Sequence, residues 1–89
     1  MIKLVAIEPK DAAHLLLRFS DGAWGTCDFS RYLDAGTEMT VPLRDPQFFA
    51  RCFIEAGALA WPNGFDLSAA ALYRRLEETG GLRRDAAAA

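Results

Sequence analysis

Three side chains in this sequence have the chemistry of a base, a nucleophile or a soft metal ligand: His14, the only histidine, and Cys27 and Cys52, the only cysteines. An imidazole moves protons near neutral pH, and a thiolate attacks electrophiles or binds zinc. Their spacing writes neither chemistry into the chain. The cysteines form no C-x-x-C pair and bring no fourth zinc ligand with them, and no nucleophile motif surrounds His14. A Cys–His pair would have to be assembled by the fold, since such partners meet in space rather than in sequence. Both thiols sit among apolar neighbours, where a free cysteine behaves as a small hydrophobe. His14, on a strand beside a turn, reads as a surface residue. No catalytic residue, metal ligand or cofactor-binding residue is assigned, and no cofactor is expected.

Four aspartates, Asp21, Asp28, Asp45 and Asp66, resemble an acid–base set until each is given its local duty. Asp21 belongs to a turn, and the other three precede helical stretches, where a carboxylate accepts backbone N–H bonds and answers the helix dipole. Ser20 and Ser30 lack the flanking glycines of a nucleophile elbow. The glycines form no phosphate-cradling loop. Arg74, Arg75, Arg83 and Arg84 make the C-terminal region locally basic, but acidic residues interrupt the cluster and it reads as a solvated face. Trp24 and Trp61 suit either a core or a protein interface, where tryptophan is a frequent anchor.

The chain that must position these groups has 89 residues, room for one small domain, with 52% hydrophobic and 25% charged content. Ten basic residues against twelve acidic ones leave a formal charge of −2. Duplex binding needs cations to displace counterions from phosphates, so this balance argues against a nucleic-acid partner. Met1 to Ile7 is too short to span a bilayer and runs straight into Glu8-Pro9, unlike a signal peptide. A cytoplasmic protein with reduced cysteines and no membrane association is expected.

Residues 2–8 and 14–19 read as strands, separated by turn residues from Pro9 to Ala13. Asp21-Gly22 predicts a two-residue hairpin, because both positions of such a turn favour positive φ. That register sets Phe19 opposite Trp24 and Leu17 opposite Thr26, and places Leu15, Leu17, Phe19, Trp24 and Thr26 on one face. Asp28 closes the third strand and caps a short helical stretch over 29–33. Asp45-Pro46 starts another over 46–50. Residues 52–56 and 58–61 read as strands around Gly57, and Trp61-Pro62-Asn63-Gly64 as a turn with proline second and glycine fourth. Asp66 is expected to cap the longest helix, over 67–79, with Ala69, Leu72 and Leu76 along its apolar stripe. Gly80-Gly81 ends it.

Several of these points occur together in an ordered set: Phe19-Ser20-Asp21-Gly22, Asp28, Leu33, Leu43-Arg44-Asp45, Phe48, Trp61-Pro62-Asn63-Gly64-Phe65-Asp66-Leu67 and Leu72-Tyr73. With them the sequence, from about residue 3 to residue 75, resembles the bacterial domain-of-unknown-function family 2442. The resemblance implies a small α+β domain, alone or followed by a DNA-binding helix-turn-helix, encoded beside toxin–antitoxin-like or mobile-element genes. It brings no biochemical activity with it. After Tyr73 this chain shows one helix end and an alanine-rich tail, with no room for a helix-turn-helix, so DNA binding is not expected to carry over from the fused form.

The expected architecture is an α+β domain over residues 1–82, with a disordered tail over 83–89. It has a small antiparallel sheet of about five strands, ordered β-β-β, short helical turns, β-β, and a C-terminal helix packed on one face. The expected function is a non-catalytic protein-interaction module, an accessory or antitoxin-like partner, binding a copy of itself or a small partner protein. An open sheet offers edges for such pairing. The candidate interface is Val5 and Ile7 on the first strand, with Trp24 and Trp61. A transcription-regulator-associated or nucleic-acid-associated domain is the alternative, and an unrecognised enzyme the third reading.

Overall fold

Two loops of one design bend the chain at Ser20–Gly22 and at Pro62–Gly64. In each, a residue N–H and C=O bracket a three-residue loop: Phe19 N–H bonds the Ala23 carbonyl at 2.8 Å, and Trp61 N–H bonds the Phe65 carbonyl at 2.9 Å. The loop glycine returns an N–H to the first residue's carbonyl, at 3.0 Å in both cases. Gly22 and Gly64 take φ of 89° and 91°, the left-handed position that ends a type I turn in such loops. The residue before each glycine locks the bend through its side chain. Asp21 Oδ1 accepts from Ala23 N–H at 2.9 Å and Asn63 Oδ1 from Phe65 N–H at 3.2 Å.

The computed structural model describes residues 1–84. It is an α+β fold with two antiparallel sheets of three strands each. The first contains β1 (Leu4–Pro9), β2 (His14–Phe19) and β3 (Trp24–Asp28), in chain order. Helix α1 (Ser30–Ala35), a 3-10 turn (Val41–Arg44) and α2 (Pro46–Phe49) lead into the second sheet. That sheet holds β4 (Phe53–Glu55), β5 (Ala58–Ala60) and β6 (Asp66–Leu67), and α3 (Ala69–Thr79) follows. The roughly five strands expected in one sheet are thus six in two, the added strand being β6. Leu4 N–H joins the sheets by bonding the Gly57 carbonyl at 2.9 Å. Among the described residues, no helix is long and apolar enough to cross a membrane.

The three-residue loop corrects the expected register of the first hairpin. Asp21 keeps a negative φ, so the two-residue turn at Asp21-Gly22 does not form. Arg18 pairs with Trp24, Leu17 with Gly25 and Leu16 with Thr26. A shift of one residue exchanges the faces of a strand. Gly25 and Cys27 therefore point inward with Leu15, Leu17 and Phe19, while Trp24 and Thr26 join Arg18 and His14 outside. The inward position at 25 has no space for a side chain: a Cβ there would lie 2.5 Å from the Gly81 carbonyl oxygen and 3.1 Å from Leu76.

The two-residue hairpin turn occurs instead between β4 and β5, where Ala56 and Gly57 have φ of 52° and 82°. The Asp45 expectation holds: its carboxylate accepts from Gln47 N–H at 3.0 Å ahead of Pro46. Asp66 does not cap the last helix. It lies in β6, because Leu67 pairs with Leu59 in the second sheet, and Ser68 takes the cap, its Oγ accepting from Ala71 N–H at 3.1 Å. Gly80 closes α3 in the left-handed conformation, and Gly81 N–H returns to the Leu76 carbonyl at 2.8 Å. Arg83 and Arg84, expected in a tail, are anchored. Arg83 exchanges backbone bonds with Trp24 at 2.7 and 2.9 Å, extending the first sheet past β3. Residues 85–89 of that expected tail lie outside the described residues.

One core cluster unites the inward face of the first sheet with α3 and the second sheet. It contains Leu15, Leu17 and Phe19, Leu59, Leu72 and Leu76, and the rings of Phe29, Phe49 and Trp61.

Two stability measurements test this reading. Ser68→Ala should cost about 1 kcal/mol in denaturant melts, as loss of a helix cap does, whereas Asp66→Ala should stay within about 0.5 kcal/mol of the parent. Ala56→Asn should stabilise by about 0.5–1 kcal/mol, because asparagine tolerates the left-handed conformation that strains alanine. A loss in that variant would contradict the turn.

Candidate functional site

Alternation along β1–β3 gives the first sheet a second, outward face. The cross-strand rows Ala6–Arg18–Trp24 and Glu8–Leu16–Thr26 lie on it. Arg18, Glu8 and Thr26 are exposed, while Ala6, Leu16 and Trp24 are half-buried. Arg18 stacks its guanidinium over the Trp24 ring, 5.6 Å from the centroid, so cation and aromatic shield each other. A hollow of about 100 Å³ opens beside them, lined by Ala6, Ile7, Glu8, Leu16 and Arg18. Val5 sits where the β1–β2 register slips between Leu4 and Ala6, and is 60% exposed.

The four residues expected at an interface separate. Val5 is exposed and Trp24 lies half-buried on the outward face, whereas Ile7 packs against the core. Trp61 is only 1% exposed and donates its indole N–H to the Phe49 carbonyl at 2.9 Å. It belongs to the core of the chain. Nor is β1 an inviting edge for strand addition. Its Leu4 N–H is already bonded to Gly57, the slip at Val5 breaks the ladder, and Pro9 has no N–H to give.

Two polar clusters flank the outward face. At one end of the sheet, His14 Nδ1 lies 2.8 Å from Asp11 Oδ1 and its Nε2 lies 3.8 Å from Asp28 Oδ2. Asp28 also accepts from Ser30, from the hydroxyl at 2.6 Å and the backbone N–H at 2.8 Å. The Asp11 bond holds the imidazole pKa above its ordinary value. The Ala13 N–H, then His14, holds the Asp11 carboxyl below its own. The Ser30 bonds do the same for Asp28. His14, expected as a lone surface residue, has its partners written in the sequence: Asp11, three residues earlier, and Asp28, its cross-strand partner in the observed register.

At the other end, Tyr73 from α3 donates its hydroxyl to Asp21 Oδ2 at 2.7 Å. Arg84 lies 3.3 Å from the same oxygen and also donates to the Tyr73 hydroxyl. The Tyr73 ring meets Phe19 edge-on at 5.1 Å. The tyrosine hydroxyl lowers the Asp21 pKa, and the carboxylate in turn raises that of Tyr73.

The remaining candidates are not assembled for chemistry. Cys27 is buried, which pushes its thiol up to about 11, and burial also raises Cys52. Neither is a thiolate at neutral pH. His14 is engaged by carboxylates and Ser30 by Asp28. Among the described residues, no three His, Cys, Asp or Glu side chains are grouped to hold a metal ion.

The residues that carried the resemblance are accounted for by this architecture. Arg44 donates to the Leu33 carbonyl at 2.7 Å, and Asn63 to the Met39 carbonyl at 3.0 Å. Residues 4–78 match the model of the family described as Protein of unknown function (DUF2442), and the chain belongs to that family. No curated protein and no solved structure matches it significantly.

Removing the tyrosine hydroxyl tests the second cluster. In Tyr73→Phe the ring contact with Phe19 remains, and the Asp21 carboxyl should titrate closer to its ordinary 3.8. A depressed carboxylate stabilises the fold above its unfolded pKa and loses that contribution as the pH falls. The variant should therefore lose less stability than the parent on acidification below pH 4, measured by thermal melts and carboxyl NMR. An unchanged Asp21 titration would contradict the assignment.

Proposed function

We propose that this domain is a non-catalytic protein-interaction module that receives another protein chain, a copy of itself or a small partner, on the outward face of β1–β3. The observation that carries this reading is a hollow lined by half-buried Ala6 and Leu16 and by the charged Glu8 and Arg18, with the exposed Val5 next to Ala6 in the chain. An apolar centre with a polar rim is the anatomy of protein interfaces. The polar side chains best suited to catalysis support the same reading, since they are bonded into the clamps at the two ends of the sheet. Two arginines and the net charge favour it over nucleic-acid binding: Arg84 is committed to Asp21, Arg18 to Trp24, and the charge is −2. An accessory or antitoxin-like role beside a partner protein would use this face.

Light scattering over a concentration series reads self-association, and a pull-down from the source cell reads a partner. Leu16→Glu places a charge at the centre of the face and should abolish the interaction while leaving the melting temperature close to the parent's, because Leu16 is outside the core. A strict monomer that recovers no specific protein would overturn the proposal, as would a Leu16→Glu variant that binds normally.

A further inference from the structure

We propose that the end of the first sheet around His14 is a proton-controlled latch: charged His14 ties the 10–13 loop, the end of β3 and the start of α1 together, and its neutralisation releases them. The geometry supplies one link that survives loss of the proton and one that does not. A neutral imidazole with hydrogen on Nδ1 still donates to Asp11, 2.8 Å away. Its Nε2 then has no hydrogen, so the attraction to Asp28 at 3.8 Å is present only in the imidazolium.

What these carboxylates hold explains why the link has structural consequences. Asp11 Oδ1 also accepts from Ala13 N–H at 2.9 Å, and the Ala13 carbonyl accepts from Phe29 N–H at 2.8 Å. Phe29 is fully buried among the core rings. Asp28 fixes the first N–H of α1 through Ser30. One exposed imidazole thus bridges the two carboxylates that set the entry to α1 and the loop carbonyl bonded to a core residue.

The charged and titratable groups around the latch are Asp11 of the loop, Asp28 of β3, Arg75 of α3, which acts on Asp28, and Lys10, whose amine pairs with Glu8 at 3.4 Å. The Asp11 hydrogen bond is the largest influence on His14; desolvation opposes it, and the charges of Asp11 and then Asp28 add to it in favouring the imidazolium. The folded pKa of His14 is raised above 6.5, so its stabilisation is complete below the unfolded pKa and fades as the pH rises through the folded one. The depressed Asp11 and Asp28 lose their contributions as the pH falls below their ordinary 3.8. The latch is closed between these limits. It stands independently of any partner, although His14 and Asp28 lie on the proposed interaction face.

Two NMR readouts on the intact chain test it between about pH 5.5 and about pH 8: the His14 imidazole titration, and exchange protection of the Ala13, Phe29 and Ser30 amides corrected for intrinsic rates. The imidazole should titrate above 6.5, with protection at the three amides falling several-fold in step while the Leu17 amide in mid-β2 holds. His14→Gln should abolish the pH dependence. Asp28→Asn, which keeps an acceptor for Ser30, should lower the His14 titration. The latch is overturned by an imidazole titrating at or below 6.5, by protection that ignores the titration, or by His14→Gln retaining the parent's response.

Discussion

The bond from the Trp61 indole to the Phe49 carbonyl, 2.9 Å long and buried, is the constraint on which the assembly of the two sheets rests. Helix α2 spans only Pro46–Phe49, so the carbonyl of its last residue has no further helical turn to supply a donor. A buried carbonyl left without a donor costs about 1–3 kcal/mol. Trp61 supplies that donor from the bend between β5 and β6. Its ring lies 6.0 Å from Phe49 and 6.1 Å from Phe29. Phe29 follows β3, Phe49 ends α2 and Trp61 follows β5, so three rings bind pieces that are each too short to persist alone. The design of the Pro62–Gly64 loop follows from this, since the chain must turn within three residues to return Phe65 to the same rings, 5.7 Å from Trp61.

Much of this was legible in the sequence because it is written locally. The first two strands, the α+β class, the Asp45 cap and the Trp-Pro-Asn-Gly turn depend on neighbours a few residues away. The failures share one cause, a local signal outweighed by a distant contact. Asp-Gly is a strong hairpin pair, yet it became part of a three-residue loop because the core face of β3 must present Gly25 to Gly81 and Leu76, more than fifty residues on. Asp66 is a good cap residue, yet Leu67 was needed opposite Leu59, and the cap moved to Ser68. Trp61 offered no local signal to separate a core anchor from an interface anchor; only its distance to Phe49 does so. The candidate face was illegible for the same reason, since a register error of one residue had turned Trp24 and Thr26 inward.

The residues that carried the resemblance have architectural roles. Asp21 and Asn63 lock the two matched loops, Asp21 also receives Tyr73 from 52 positions away, Arg44 holds a carbonyl of α1, and Leu43, Phe19 and Trp61 fill the core. A set of residues that specifies a fold specifies no chemistry, which is why belonging to the family fixes the scaffold and leaves its use open. The information about use must lie in the positions those bonds do not consume.

In the first sheet those positions are on the outward face. Inward residues are fixed by packing, and the two ends are fixed by Asp21–Tyr73–Arg84 and Asp11–His14–Asp28. Between the clamps, Val5, Ala6, Leu16 and Thr26 lie outside the core and Glu8 pairs with Lys10 on the surface, so these side chains vary with little cost to the core. On the function proposed above, a face bounded by clamps would present such side chains at low entropic cost, the condition under which a modest apolar patch binds. The composition of the outward face can change while the fold beneath it stays the same.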